Sequence, residues 1–578
     1  MIGPTHTNGQ IGRLFAEDAA SSFTIEGRGH RLQRADLARA IGEVAEQLEF
    51  PASSRTVLVV APRCRTSTTV MLLALWANGM VPLLVDRASP TARVDAVRRL
   101  ADPSTVVTFE GETGTNHEIL DDHWTSEYRA AAVDTFDGCP DPAYVSMTSG
   151  STGDPLLALC RWRGLDLVAR EWARVAELGP ASRVLQFASP AYDAFYTEVV
   201  PAIVAGSTLV CPDDDSWAVP SRLATALRAR RITHFTAPPS VLSRVLATPV
   251  PPRLEFLGSA GEKLETTLAR TARRHCSRLV NAYGPAEATV CATVHVVDGS
   301  EDEVPIGRPL EGVDVRIKDG EITIAGTTVA WGYLGQPAAG TRFEAETPTS
   351  PAVFRPGDLG ELRDGLIYFR GRRDRQVKIR GHRLDPSAIE WHLRRIAGVT
   401  DCAVFVHGGD LACLMVSDRP LSTVSQESRT ILPAAEWPAR WARVDAIPYL
   451  RSDKLDVARA QVLLDRFETR DAQSAGTADG PRWLAELWER HASFTGDDAD
   501  FFLSGGDSLS AMELLDAVYE SCGVDVDVAD FLAEPTFGHL RQLVSRGAGP
   551  GLSPVPRPQA VVDDESVELP GLRERQQF

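Results

Sequence analysis

Residues 143–153 read AYVSMTSGSTG, a strand-like apolar run that passes straight into a loop of hydroxyls and glycines. Such a loop offers several hydroxyl donors, and its glycines let backbone N–H groups come close to an anion. It is not the GxxxxGK[ST] loop of other nucleotide enzymes. An ordinary polar turn has the same composition, so the loop takes its meaning from what surrounds it. Upstream, 56–60 (TVLVV), 81–85 (VPLLV) and 104–109 read as strands, with helical stretches at 65–78 and 90–100 between them. Short β-branched runs alternating with longer helical ones indicate a layered α/β domain. The alternation continues to about residue 370.

Farther out the pattern changes. From 371 to about 465 the chain is mixed, with strand-like VKIR (377–380) and CAVFV (402–406) flanking a helical SAIEWHLRRIA (387–397). A small, polar stretch at 469–481 reads as a linker. Residues 482–546 read as three or four short amphipathic helices, and the last thirty or so, rich in Pro, Gly and charge, as disordered. With 578 residues the chain holds two or three folding units. A formal net charge of −18 argues against nucleic acid, whose phosphates would be repelled. Nine cysteines, scattered from Cys64 to Cys522 without a CxxC pair, read as reduced thiols and not as a zinc site. No apolar run reaches membrane-spanning length; the longest, VMLLALWANG at 70–79, reads as a buried helix. No signal peptide is visible, so the expectation is a soluble cytoplasmic protein with no membrane partner.

Five further segments stand in order: 281–289 (NAYGPAEAT), 321–337 (EITIAGTTVAWGYLGQP), 355–359 (RPGDL), 371–390 (GRRDRQVKIRGHRLDPSAIE) and 452–456 (SDKLD). Together with 148–153 they resemble, in order and spacing, the core motifs of nonribosomal peptide synthetase adenylation domains, part of the acyl-adenylate-forming superfamily. The resemblance covers about 10–465. It implies a large adenylation core over 1–372, a small mobile α+β lobe over 373–466 and a linker over 467–481. It also implies the reaction, attack of an amino-acid carboxylate on the α-phosphate of ATP with loss of pyrophosphate. Two anions must meet there, so the site needs cations and oriented donors.

By that resemblance Thr148, Ser149, Gly150, Ser151, Thr152 and Gly153 hold phosphate oxygens, Tyr283 packs on adenine, and Glu287 helps hold Mg²⁺. Asp358 accepts the ribose hydroxyls, with Arg372 beside them. Lys454 bridges the carboxylate and α-phosphate, and Asp374 is the hinge of the lobe. Read alone, Lys454 is a solvated surface lysine, and only its SDKLD setting changes that. Three departures stand out: Leu156 where the loop usually ends in lysine, Ala286 in place of threonine, and Ser452-Asp453 in place of Asn-Gly.

Residues 500–510 read DFFLSGGDSLS, and Leu509, Met512, Leu515 and Val518 recur at helical spacing. A helix therefore begins at or just after Ser508, where serine is a favoured start. GGDSL in a small acidic helical unit resembles the 4′-phosphopantetheine attachment site of peptidyl carrier proteins, a four-helix domain spanning 482–546. Ser504 departs from the usual leucine. The GxSxG reading fails, since no glycine stands two places after Ser508.

The segment 187–200 (FASPAYDAFYTEVV) aligns with the family segment whose aspartate, here Asp193, binds a substrate ammonium. The remaining pocket positions are Ala194, Thr197, Thr236, Gly258, Ala260, Ala282, Val290 and Cys291. None is large or charged, and the set most resembles tyrosine pockets, then phenylalanine. Thr197, Thr236 or Cys291 could face a phenol. Without an HHxxxDG motif the chain reads as a stand-alone loading didomain, similar to tyrosine-loading didomains of aminocoumarin-type antibiotic pathways. In these a separate haem enzyme hydroxylates the tethered amino acid at its β-carbon. Expected partners are the amino acid, ATP, a phosphopantetheinyl transferase, a tailoring or condensation enzyme acting in trans, and a helper protein of the MbtH type. The rival readings are an acyl-CoA or aryl-acid ligase and a catalytically silent carrier scaffold.

Overall fold

The computed structural model describes residues 19–548 except 28, 49–55, 62–64, 87–88, 104, 111–122, 129–138, 140, 149–154, 213–216, 218, 335–341, 345, 348–349, 451–454, 473–480, 493–495, 498, 505 and 507. The α/β expectation holds. Strands Thr56–Ala61, Val81–Asp86, Thr105–Glu110 and Pro142–Thr148 form the parallel centre of a six-stranded sheet. Antiparallel strands His123–Tyr128 and Leu156–Arg161 close its two edges. Parallel strands covered on both faces read as continuous apolar runs, which is why TVLVV and VPLLV stood out.

A nine-stranded sheet lies alongside, its parallel middle including Leu254–Ala260 and Cys276–Tyr283. The helix Arg65–Ala77 is buried continuously from Thr66 to Trp76. A helix apolar all round belongs inside a large core. Its Trp76 packs 4.8 Å from Trp162, and the indole N–H donates to the Ala143 carbonyl at 2.8 Å. This ties the strand that carries the 148–153 loop to the core. A third sheet contains Asp358–Arg363 paired antiparallel with Leu366–Arg372.

The lobe begins with a two-stranded hairpin, Val377–Ile379 and His382–Leu384. The helix Pro386–Leu393 follows, with proline in its first turn and Asp385 capping it by accepting from Ser387 N–H at 2.9 Å. Strands Val399–His407, Asp410–Ser417 and Arg440–Arg443 complete it. Its last helix, Val457–Ala472, runs into the stretch read as linker, because nothing in QVLLDRFETRDA breaks a helix. The 547–578 tail lies outside the described residues beyond Ala548.

The carrier unit has four helices: Arg482–His491, Ser508–Cys522, Val528–Ala533 and Phe537–Ala548. Trp488 is its centre, with Phe501 at 5.1 Å and Phe537 at 5.5 Å, both edge-on. Such aromatic edges supply much of the burial a small domain needs. The unit docks on both neighbours. Arg222 of the core donates to Asp516 at 3.0 Å, lies 5.0 Å over the Tyr519 ring and sits 3.5 Å from Asp525. Arg244 pairs with Glu513. On the lobe, Arg429 donates to Asp500 at 2.8 Å, and Trp437 meets Phe502 edge-on at 5.5 Å.

Candidate active site

The strand Pro142–Thr148 delivers Thr148 to the root of the predicted phosphate loop. Thr148 is buried, and its hydroxyl has no hydrogen-bond partner among the described residues. Leaving a buried hydroxyl unpaired costs about 1–3 kcal/mol, so the position suits an anion that arrives with substrate. Ser149, Gly150, Ser151, Thr152 and Gly153 lie outside the described residues. Leu156, opposite Thr148 in register, lines a cleft of about 430 Å³ with Tyr333, Arg342, Arg375 and Arg383. Arginines thus face the space where a lysine at 156 would have added charge.

Tyr283 ends the strand Cys276–Tyr283, and its hydroxyl donates to Asp358 at 2.6 Å. Asp358 and Arg372 are cross-strand partners, and Arg372 donates to the other Asp358 oxygen. Arg372 also reaches the Pro356 carbonyl at 2.7 Å and Asp374 at 2.8 Å. Asp374 is clamped a second time by Arg342 at 2.7 Å. Burial opposes its charge, but the two guanidiniums bring its carboxyl down to about 2.

Asp193 stands just before the helix Ala194–Val204. Burial, and then the charge of Glu287, push its carboxyl up to about 6, so a bound ammonium would restore its ionised form. The predicted pocket positions carry small side chains. Thr197 donates its hydroxyl to the Ala194 carbonyl at 2.8 Å. Cys291 turns its thiol to the Thr293 carbonyl at 3.4 Å, and burial pushes that thiol up to about 12. Thr236 pairs in register with Gly258, where a Cβ would fall 2.5 Å from the Thr236 hydroxyl oxygen. Glycine at 258 therefore leaves Thr236 its place, and that hydroxyl has no partner among the described residues. Ala260, Ala282 and Val290 complete the set. Val290 has φ 67° directly after Thr289 at φ 53°, a strained left-handed pair following Glu287.

Glu287 is fully buried. Burial opposes its charge, yet Arg383 at 3.0 Å and the Tyr333 hydroxyl at 2.7 Å hold it below the usual carboxylate range. Arg383 belongs to the lobe, and its hairpin closes on the core here. The turn residues Arg380 and Gly381 both have positive φ, at 53° and 80°, as two-residue turns of the I′ kind require. Gly381 is needed for contact as well: a Cβ there would sit 2.4 Å from Pro238. Its N–H donates to Glu262 at 2.6 Å, and Glu262 also accepts from Ser240 N–H at 2.9 Å. His382 stacks edge-on with Tyr192 at 4.7 Å. Lys378 puts its ammonium 5.5 Å from the centre of the Tyr283 ring. Burial lowers its pKa, while Asp358 and Asp193 work in the opposite direction.

Residues 15–334, more than half of the chain, match the AMP-binding enzyme family. The chain belongs to that family. This AMP-binding enzyme also matches the phosphopantetheine attachment site over 482–544. It is 33% identical over 442 residues to bacitracin synthase 3 of Bacillus licheniformis, covering 72% of this chain and 7% of that much longer relative. It spans likewise 7% of a relative named as a probable non-canonical nonribosomal peptide synthetase, CymA of Salinispora arenicola. It is 30% identical to novobiocin biosynthesis protein H of Streptomyces niveus, covering 85% of this chain and 88% of that one. In fold it matches the structure of a holo nonribosomal peptide synthetase protein containing adenylation and PCP domains and bound to a vinylsulfonamide inhibitor. That match has a TM-score of 0.72 at 24% identity and covers 94% of this chain and 98% of the other.

Hydrogen bonds join Tyr283 and Arg372 to Asp358, and the charge of Glu287 acts on Asp193. Lys454 lies outside the described residues, and Tyr449 and Leu450 before it are exposed. Ser508 is the first residue of the helix Ser508–Cys522, which Arg222 and Arg244 hold through Asp516 and Glu513. Sequence reasoning passed over Lys378, Arg383, Tyr333 and Glu262. The first two were detectable in part, since VKIRGHRL reads as a tight hairpin with both cations on one face.

Mg²⁺ commonly takes one or two protein carboxylates together with substrate phosphates. Glu287 fits that pattern as a fully buried carboxylate with Arg383 as its present counter-charge. Bound there, Mg²⁺ would offset phosphate charge.

Proposed function

We propose that this enzyme activates an amino acid as its adenylate and transfers it to a phosphopantetheine thiol on Ser508, with L-tyrosine or a close aromatic relative as substrate. The observation that carries the substrate reading is the pocket floor. Asp193 offers a carboxylate whose pKa of about 6 falls when an ammonium binds. Thr197 and Cys291 already spend their hydrogen on backbone carbonyls, whereas Thr236 does not. Of the three groups that could meet a phenol, Thr236 is the one whose hydrogen is uncommitted, so that it can donate as well as accept. A pocket that hydrogen-bonds a hydroxyl rejects the analogue lacking it far more strongly than an apolar pocket does.

The posture supports loading in cis. The lobe's hairpin lies in the site, and the carrier sits on the helix Pro239–Leu246 through Arg244, while Gly381 meets Pro238 just before that helix begins. A relative named for novobiocin biosynthesis supports an antibiotic pathway. A phosphopantetheinyl transferase must prime Ser508, and a tailoring or condensation enzyme must take the loaded amino acid in trans. Exchange of labelled pyrophosphate into ATP with tyrosine, phenylalanine, leucine and glutamate, each with and without an MbtH-type helper, tests the substrate. Tyrosine should lead, and Thr236→Val should narrow its margin over phenylalanine about tenfold or more. Preference for glutamate, or a margin unchanged in Thr236→Val, would refute the assignment.

A further inference from the structure

Between Glu287 and Cys291 the chain reverses through two left-handed residues in succession, Thr289 at φ 53° and Val290 at φ 67°. The Cys291 N–H donates to the Thr289 carbonyl at 2.8 Å, which makes Val290 the centre of a γ-turn with positive φ. That is the rare, strained form of the turn, and a β-branched residue suits it worst. Neither position holds the glycine or asparagine that would ease it, so the surroundings must hold the strain in place.

They do so from several sides. The Thr289 side chain is fully buried, and its hydroxyl donates to the Thr328 carbonyl at 2.6 Å. Gly284 lets the turn fold back, because a Cβ there would lie 2.4 Å from the Val290 carbonyl oxygen. The Ala330 N–H donates to the Glu287 carbonyl at 2.8 Å, and the Tyr333 hydroxyl holds the Glu287 carboxylate. One short loop thus carries the candidate metal ligand at its start and a predicted pocket position near its end. The stretch 328–333 secures both.

Backbone strain kept by so many contacts aims a side chain where a relaxed chain would not put it. Val290 is half-buried while Thr289 and Cys291 on either side are buried, as befits a side chain that faces an open space. We propose that Thr289 is a positioning residue for amino-acid selection: its hydroxyl anchors the strained turn to Thr328 and so fixes Val290 as a wall of the side-chain pocket. The proposal rests on the assignment of Val290 to that pocket. Without the anchor the turn relaxes and the wall moves. Tyr283, Asp358 and Arg372 keep their own mutual bonds, so the nucleotide end stays as it is.

The test uses the full chain in pyrophosphate exchange, with tyrosine, leucine and ATP each varied. Thr289→Val keeps the shape and loses the donor, whereas Thr289→Ser keeps the donor. Thr289→Val should raise the KM for tyrosine by about fivefold or more, the scale of one net hydrogen bond, and shrink the preference over leucine, while the KM for ATP moves by less than about twofold. Thr289→Ser should recover both wild-type values. Thr289→Gly, which takes the left-handed φ without strain, should behave as Thr289→Val does and carries the test if the valine variant fails to fold. A tyrosine KM unchanged in a folded variant without the hydroxyl overturns the proposal. So does an equal rise in both KM values, or a serine variant as impaired as the valine one. Val290→Ala separates the underlying reading: if it alters neither the tyrosine KM nor the preference, Val290 is no pocket wall and the proposal falls with that assignment. If Val290→Ala shifts the preference and Thr289→Val does not, the proposal alone falls.

Discussion

Arg383 of the lobe places its guanidinium 3.0 Å from the fully buried Glu287 of the core, so one carboxylate serves both as the lock of this posture and as the candidate metal ligand. Two cations cannot share it at full strength. Removing Arg383 should therefore favour the metal. Arg383→Met is expected to lower the Mg²⁺ concentration needed for half-maximal pyrophosphate exchange by about 3–10-fold, the scale of an altered two-state preference of 1 kcal/mol or so. A titration of exchange against Mg²⁺ reads this directly, and a higher Mg²⁺ requirement in the variant would contradict it.

With Asp193 as the proposed partner of the substrate ammonium, amino-acid binding should depend on pH. Its carboxyl is raised to about 6, so it is charged above that pH and neutral below it. A neutral acid cannot balance the ammonium of the amino acid. The apparent KM for the amino acid should thus rise as pH falls through about 6, by up to tenfold per unit, while the KM for ATP changes less. Asp193→Asn should raise the amino-acid KM above about pH 6, where the wild-type carboxylate is charged, and flatten this limb. A limb of unchanged steepness in that variant would assign it to another group.

The docking arginines allow a charge-swap test. Arg244→Glu should slow loading of the carrier in cis by about 5–10-fold at low salt, because a partly exposed ion pair of about 1 kcal/mol becomes a repulsion. Pairing it with Glu513→Arg should restore the rate. Neither change should alter pyrophosphate exchange, which does not need the carrier. Loading that is indifferent to both would mean that Arg244 and Glu513 do not guide the transfer.

Much of this architecture was legible along the chain because it rests on local pattern. TVLVV and VMLLALW announced buried strands and an all-round apolar helix, and the structure places them in the core beside Trp76. Leu509, Met512, Leu515 and Val518 announced the helix that Ser508 begins. What stayed hidden depends on contacts between distant segments. The run VKIRGHRL is a hairpin on its face, but which domain its two cations meet is decided by the seat of Gly381 against Pro238. Likewise the bonds from Thr197 to Ala194 and from Cys291 to Thr293, which commit those two hydrogens, join residues that sequence pattern alone does not pair. Arg222 and Arg244 look like ordinary surface charge in sequence, since their partners lie in the carrier.

Asp374, the proposed hinge, lies between the strands Leu366–Arg372 and Val377–Ile379 and is held by Arg372 and Arg342. If the lobe turns about it, its backbone must change dihedrals between half-reactions. Asp374→Pro fixes φ and removes an N–H, so the enzyme should be trapped in one posture, with either exchange or loading reduced by about 10-fold or more and the other kept. Equal retention of both would place the hinge elsewhere.

The central claim is that one chain makes the adenylate and receives the amino acid on Ser508. The direct measurement is intact-protein mass spectrometry after priming with coenzyme A and a phosphopantetheinyl transferase, followed by ATP, Mg²⁺ and tyrosine. The account predicts a phosphopantetheine adduct that gains the mass of one tyrosyl group, and neither adduct in Ser508→Ala, while that variant still exchanges pyrophosphate. A tyrosyl adduct on Ser508→Ala, or a primed wild-type chain that never gains the tyrosyl mass while exchanging pyrophosphate, would contradict it.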